Sequence, residues 1–471
     1  MNITGRYHQK QRLEELVQSS QSEFVAVYGR RRTGKTFLIR EYFRNEFSFY
    51  TSGLNDDRMI LQLAGFHASL RQSPYYEECP MPQSWMEAFD QLKQLLIRDE
   101  RKHKIVFIDE LPWLDTNTSD LNAALDWFWN QWASARKDIK LIVCGSAASW
   151  MIKTFINDDG GFYNRVTESM KIAPFNLAET KLYLESKDIH YDSYQIVHLY
   201  MALGGIPYYL NKVKKGFSAS QNIDNIFFGK QALVKNEYTL LFKSLFKNHQ
   251  RHIDVVDVLF KKKKGLFRSD ITKALNILDG GSFSNVLEEL VVSDFISVHT
   301  LPGTTKRNVI YKIADHYILF HKNFVEKHQN TANFWINNIN TPNWYAWAGL
   351  AFEQTCFQHI NQIKSALGIQ AVQSNTYAWA NKEAQIDLII DRKDQVVNLV
   401  EIKFSDKPFT MTSEYEATII NKTEAYKATY PSRKSVWQVL MTTYGLKSMK
   451  HAGVFEKVMT MDILFESINE I

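Results

Sequence analysis

Through the first 175 positions, short strand-like apolar runs at 24–28, 47–50, 105–108, 140–144 and 169–173 alternate with helix-patterned stretches at 36–44, 57–71, 84–98 and 119–135. A further amphipathic segment at 9–17 precedes the first run. Regular strand–helix alternation predicts a parallel, doubly wound α/β sheet, whose ligand site lies at the carboxyl ends of the strands. A helix-like stretch follows at 193–203 and breaks at Gly204-Gly205-Ile206-Pro207. Residues 252–325 then read as helix (253–260), turn, helix (268–275), helix (282–292) and two strand-like runs (295–300 and 309–313). A tryptophan-rich connector at 335–347 leads to a helix-like segment at 349–359 and strands at 385–390 and 396–404.

The octet Gly29-Arg30-Arg31-Arg32-Thr33-Gly34-Lys35-Thr36 stands between the first apolar run and a helical segment opening at Phe37. It therefore matches a Walker A loop in both residues and context. Glycines let such a loop close round phosphates, its N–H groups point inward at a helix N-terminus, Lys35 neutralises terminal phosphate charge, and the Thr36 hydroxyl ligates Mg²⁺. Residues 29–37 are the candidate ATP-binding positions. The run at 105–108 ends in Asp109-Glu110, as a Walker B strand does. Asp109 is the candidate second Mg²⁺ ligand, and Glu110 the base that polarises the attacking water. After the run at 140–144, Ser146 is a candidate γ-phosphate sensor. Arg165, just before the last strand, is either an arginine finger reaching a neighbouring subunit, which implies a homo-oligomer, or a surface residue in a salt bridge.

With the 205–207 turn, these motifs resemble the prokaryotic archaeal-type ATPases, a branch of the AAA+ and STAND-like P-loop ATPases. The resemblance spans about residues 1–230 and implies an ATP- and Mg²⁺-dependent ATPase core. In related ATPases, a segment equivalent to 3–17 packs over the adenine.

The order of elements in 252–325 resembles a winged helix. Its wing tip at 302–307 and the lysines at 261–264 are suited to phosphates. Its third helix offers Glu288 and Glu289 with only Ser282, Ser284 and Asn285 as neutral readers, poor equipment for a major groove. DNA contact and relay of nucleotide state both stay open.

In the last third, Glu353 lies among apolar neighbours of a helix, Asp387 near the start of a strand, and Glu401 and Lys403 on one face of the next strand, because side chains alternate with period two. A helical Glu, then Asp, then Glu-x-Lys resembles the PD-(D/E)XK nuclease-like superfamily over about 345–445. That resemblance implies Mg²⁺ held by Glu353, Asp387 and Glu401, with Lys403 orienting water or stabilising developing charge. A solvated Glu–Lys pair is the alternative.

Composition adds limits. With 471 residues, 45% of them apolar and 13% aromatic, the chain buries more than one core. The boundaries expected are 1–175 for the ATPase core, 176–245 for a helical lid, 246–328 for the winged-helix-like part and 340–471 for the nuclease-like part. A formal charge of only +5 confines any nucleic-acid affinity to local patches. The three cysteines, at 79, 144 and 356, have no zinc-site spacing. Absence of a long apolar stretch or a hydrophobic export core points to a cytoplasmic protein without a membrane span.

The combined expectation is a Mg²⁺-dependent ATP-hydrolysing switch or motor coupled to nucleic-acid-associated segments, DNA ahead of RNA, with nuclease activity open. The alternative is a nucleotide-binding regulatory or scaffold protein with negligible turnover.

Overall fold

The computed structural model describes residues 3–116, 119–157, 161–234, 236–246, 248–262, 265–301 and 309–467. The expected wing tip, and Lys263 and Lys264 of the basic cluster, lie outside the described residues. The chain divides between Pro174 and Phe175 into two compact units.

In the first unit, strands β1 (Glu23–Tyr28), β2 (Phe49–Ser52), β3 (Lys104–Asp109), β4 (Ile139–Gly145) and β5 (Glu168–Lys171) form an all-parallel sheet in the order β2-β3-β4-β1-β5. Alternation along the strands feeds two apolar layers. Phe24, Ala26, Val106, Ile108, Leu141 and Val143 pack with helices Met59–Leu70, Trp85–Arg98 and Leu121–Gln131. Val25, Val27, Ile105, Phe107 and Ile142 meet Leu13, Leu38 and Ile39 on the other side. Burial on both faces is why these strands read as continuous apolar runs. β2 begins two residues later than the sequence predicts, because Phe47 is an aromatic contact in the turn before it, close to Tyr50 and Phe107.

The second unit starts with helices Leu177–Glu185, Ser193–Leu203, Ala219–Phe227 and Glu237–Leu245. Gly205 shows why the 204–207 turn is made of glycine. Its φ is +65°, and a Cβ there would stand 2.0 Å from the Phe175 carbonyl oxygen, while its own carbonyl accepts from Phe175 N.

Helix His249–Lys261, strand β6 (Leu266–Phe267), helices Arg268–Leu275 and Gly281–Val292, and strands β7 (Ile296–Thr300) and β8 (Val309–Ile313) follow. The three strands form an antiparallel sheet in the order β6-β8-β7. β6 has two residues and leaves no periodic signal in the sequence.

The segment expected to be a connector is helical and buried. Thr341 caps helix Pro342–Gln358 by accepting from Trp344 N, with Pro342 in the first turn. Trp335, Trp344 and Trp347 are at most 1% exposed. Hydrophobic area of that size belongs inside a core, and one apolar cluster runs from Phe175 to Leu464.

A mixed sheet closes the unit. β9 (Ser374–Ala380), β10 (Gln385–Arg392) and β11 (Val396–Lys403) form an antiparallel meander. β12 (Ser435–Thr442) and β13 (Lys457–Thr460) add in parallel, giving the order β13-β12-β11-β10-β9. Helix Pro342–Gln358 covers one face through Ala348, Ala351 and Phe352, against Leu388, Ile390, Val400 and Ile402. Helix Ser413–Thr429 covers the other, with Tyr426 against Ile389 and Leu399. Among the described residues no helix is long and apolar enough to cross a membrane.

Candidate active sites

The nucleotide loop joins the carboxyl end of β1 to helix Lys35–Tyr42. Gly29, at φ +141°, lies against β5's continuation, where a Cβ would meet Ile172 O at 2.5 Å. The Lys35 ammonium is enclosed and donates to the carbonyls of Gly29 and Arg30, each at 2.9 Å. Burial lowers its pKa, against the pull of Glu110 and Asp109. Thr33 Oγ1 donates to Arg30 O at 2.9 Å, and Arg6 Nη2 donates to Thr33 O at 3.0 Å. Arg6 thus ties the segment before the first helix to the loop, a role the sequence did not reveal. Phe37 is 45% exposed.

Thr36 Oγ1 donates to Asp109 Oδ2 at 2.7 Å. Two hard oxygens therefore meet at the helix N-terminus, the donor set a Mg²⁺ ion prefers. Burial raises the Asp109 pKa, a shift the Thr36 hydrogen bond opposes. Next to it, Glu110 adopts φ +46°, a conformation costly for a residue with a side chain and concentrated at functional sites. Its carboxylate is held twice by Ser146, from Oγ at 2.6 Å and from the backbone N at 3.1 Å. Glu110, Ser146, Asp109, Thr36 and Lys35 are thus gathered where three strands end. Arg165 lies elsewhere, paired to Asp126 at 2.8 Å and hydrogen-bonded to Asn130 and the Gly161 carbonyl.

The distal carboxylates sit in the second unit, and their arrangement differs from the expected three-way convergence. Glu401 and Lys403 share a face of β11, with Nζ 2.8 Å from Oε1. That face is the one covered by helix Ser413–Thr429, which adds Lys422 at 2.6 Å and the Tyr415 hydroxyl. Glu353 rides on the helix that covers the opposite face.

Asp387 lies between them, on a bulge where two residues of β10, Asp387 and Leu388, oppose one of β9, Ala378. The bulge turns its carboxylate to accept from Ile402 N at 3.0 Å. Among the described residues no three His, Cys, Asp or Glu side chains stand close enough to share a metal ion.

Electrostatics follows this placement. Burial and then Asp387 raise the Glu353 pKa, while burial and then Glu401 raise that of Asp387. For Glu401, burial is outweighed by Lys403 and Lys422, and its pKa falls below the ordinary carboxylate value. Glu353 and Asp387 are the pair whose charge a divalent cation would relieve; Glu401 already has two ammonium partners. Tyr415 and Lys422 were missed from sequence, although seven residues, or about two turns, apart they occupy one side of the same helix.

An ATPase domain found predominantly in Archaea matches residues 5–213. A family described as archaeal and bacterial proteins of unknown function matches residues 316–420. The uncharacterized protein MJECL04 of Methanocaldococcus jannaschii is 22% identical over 418 residues, spanning 86% of this chain and 88% of its own. Among solved structures, the Walker-type ATPase PABY2304 of Pyrococcus abyssi superposes with a TM-score of 0.47 at 17% identity, over 67% of this chain and 95% of that one. The ORC2 protein of Aeropyrum pernix, seen in ADPNP and ADP complexes, superposes with a TM-score of 0.40 at 14% identity, over 69% and 95%. The stretch that matches the archaeal ATPase domain, residues 5–213, holds the nucleotide loop, the Asp109-Glu110 strand end and the parallel sheet that joins them.

Proposed function

We propose that the chain hydrolyses ATP with Mg²⁺ and uses its nucleotide state as a switch for carboxyl-terminal segments that handle nucleic acid. The observation that carries the first half is the 2.7 Å contact between Thr36 and Asp109, beside a glutamate fixed at the end of the same strand. Thr36 and Asp109 would hold the ion, and Lys35 would exchange its loop carbonyls for phosphate oxygens. When bound, the ion neutralises charge shared between the β- and γ-phosphates. Glu110 accepts a proton from the attacking water once it turns from Ser146, which makes Ser146 a positioning residue for that base. Loss of Glu110 as Glu110→Gln removes 10²–10⁴-fold of turnover, in line with general-base catalysis, and leaves ATP binding intact. Equal turnover by the variant and the wild-type chain in a phosphate-release assay overturns this role.

For the second half, helix His249–Lys261, helices Arg268–Leu275 and Gly281–Val292 and the β6–β8 sheet support a winged-helix reading. The meander with a parallel fourth strand supports a nuclease-like one. Asp387, Glu353 and Lys403 are its proposed cleavage residues, with DNA ahead of RNA as substrate. Mg²⁺-dependent cleavage that disappears in Asp387→Ala and Lys403→Ala is the expected result; no cleavage of single-stranded, duplex or structured substrates leaves a binding fold. The double tether of Glu110 to Ser146 favours a second reading, a nucleotide-binding scaffold with negligible turnover, and the phosphate-release assay on the intact chain separates the two. A homo-oligomer remains part of the proposal only if Arg165 exchanges Asp126 for a neighbour's phosphate, which sedimentation with and without ATP tests.

A further inference from the structure

Within the second unit a cavity of about 290 Å³ opens between helix His249–Lys261, the β7–β8 ladder and helix Pro342–Gln358. That volume is at the small end of the range for small-molecule sites. Its walls are of two kinds. Leu259 and the rings of Phe260 and Phe357 provide apolar surface, and the Phe357 ring meets His299 edge to face at 5.3 Å. Opposite kinds of polar group line the rest: the Ser297–His299 pair, hydrogen-bonded at 2.8 Å, the Lys312 ammonium and the Glu353 carboxyl. Lys262, also on the lining, is exposed at the mouth.

We propose that this cavity binds one unpaired nucleotide, the base between the aromatic walls and its phosphate toward Lys312 or Lys262. Planar apolar walls suit the faces of a base, neighbouring donors and acceptors suit its edge, and two ammonium groups suit the phosphate. Lipid or plain hydrocarbon would place apolar groups against Lys312 and Glu353, a costly outcome for buried polar groups. Because Glu353 belongs both to the cavity and to the distal carboxylates, a strand whose base enters here is positioned beside those carboxylates. The inference rests on the reading that this half of the chain handles nucleic acid; it does not require that cleavage occurs.

The ligand is either a free mononucleotide or one unit of a strand. The test uses the full chain carrying Lys35→Ala, so that the nucleotide loop does not contribute, in EDTA so that no cleavage occurs. Calorimetry with AMP, GMP, CMP and UMP forms one arm. Fluorescence of a short single-stranded oligonucleotide carrying 2-aminopurine forms the other, with the same label inside a duplex as control. Saturable binding in either arm, weakened at least tenfold by Ser297→Trp, which fills the cavity, and by Lys312→Met, supports the proposal; the two arms tell the sources apart. No binding in both arms, or binding unchanged in both variants, overturns it. Ser297→Trp and Lys312→Met keep the wild-type circular dichroism and a cooperative thermal melt, which reports that the second unit is folded. Cleavage of duplex by a protein that fails both binding arms would leave the nuclease reading standing and this one refuted.

Discussion

Replacing Glu353 by glutamine should make the metal-free protein more stable. Glu353 is enclosed next to Asp387, and its pKa is pushed up to about 8 by burial first and by that neighbour second. Holding such a group at pH 7, against an ordinary carboxylate near 4.5, disfavours folding by up to about 3 kcal/mol at 1.4 kcal/mol per tenfold in proton affinity. Lys312 and Lys403 already offset part of the charge, and a buried amide has a desolvation cost of its own. A net gain of about 1–2 kcal/mol is expected, or roughly 2–8 °C in melting temperature for a unit of this size.

The sign is fixed by linkage. The folded value lies above the unfolded one, so the wild type gains stability as pH falls from about 8 toward 4.5, and the advantage of Glu353→Gln should shrink over that window. Thermal melts of both proteins at pH 5, 6, 7 and 8 in EDTA, repeated with Mg²⁺, check this. Mg²⁺ should raise the wild-type melting temperature more than the variant's. A variant that melts at or below the wild type throughout would show that Glu353 is not an uncompensated charge, and the divalent-cation argument would fall with it.

Removing one ammonium from Glu401, as Lys422→Met, should lower stability by about 1–2 kcal/mol at neutral pH, and removing both by about 3–5 kcal/mol, because a charge 3% exposed is then left unpaired. The folded pKa of Glu401 is depressed, so this loss should be full above about pH 4.5 and fade on acidification; denaturant titrations showing a pH-independent loss would contradict it. Gly205→Ala should cost about 3 kcal/mol or more and Gly204→Ala only about 1 kcal/mol, since both have φ +65° but only at 205 does a Cβ strike backbone, at 2.0 Å against 3.4 Å for the nearest atom at 204. Similar unfolding midpoints for the two would refute the close approach to Phe175. Ser146→Ala should reduce kcat by roughly tenfold with little change in KM, as expected for loss of one hydrogen bond to a charged group that positions the base; a change confined to KM would place Ser146 on the nucleotide instead.

The first unit was the more legible in sequence because its chemistry is local. Lys35, Thr36 and the loop glycines fall within one octet, Asp109 and Glu110 end an uninterrupted apolar run, and parallel strands buried on both faces show as short apolar runs between helical patterns. What brings Thr36 to Asp109 across 73 positions is the β1–β4–β3 order; the alternation of elements predicts a parallel sheet but not that order. In the second unit the sequence put Glu353 on a helix and Asp387, Glu401 and Lys403 on two strands, but the three-way convergence it led us to expect is not the arrangement of the structure. Glu401 and Lys403 share a face by parity, yet which helix covers that face depends on long-range packing, so Lys422 and Tyr415 went unseen. Trp344 and Trp347 were read as connector because tryptophans in sequence give no sign of which core they fill. Thr341-Pro342, a cap followed by a proline in the first turn, was the available signal for the true helix start.

The bulge in β10 makes the aim of Asp387 a matter of chain length. Delete one residue between Ile386 and Ile389 and the ladder with β9 becomes regular; the following side chains keep their partners, but the acid loses the extra residue that swings it toward Ile402. Natural variation should then tolerate exchange of side chains around this point far more readily than gain or loss of a single position.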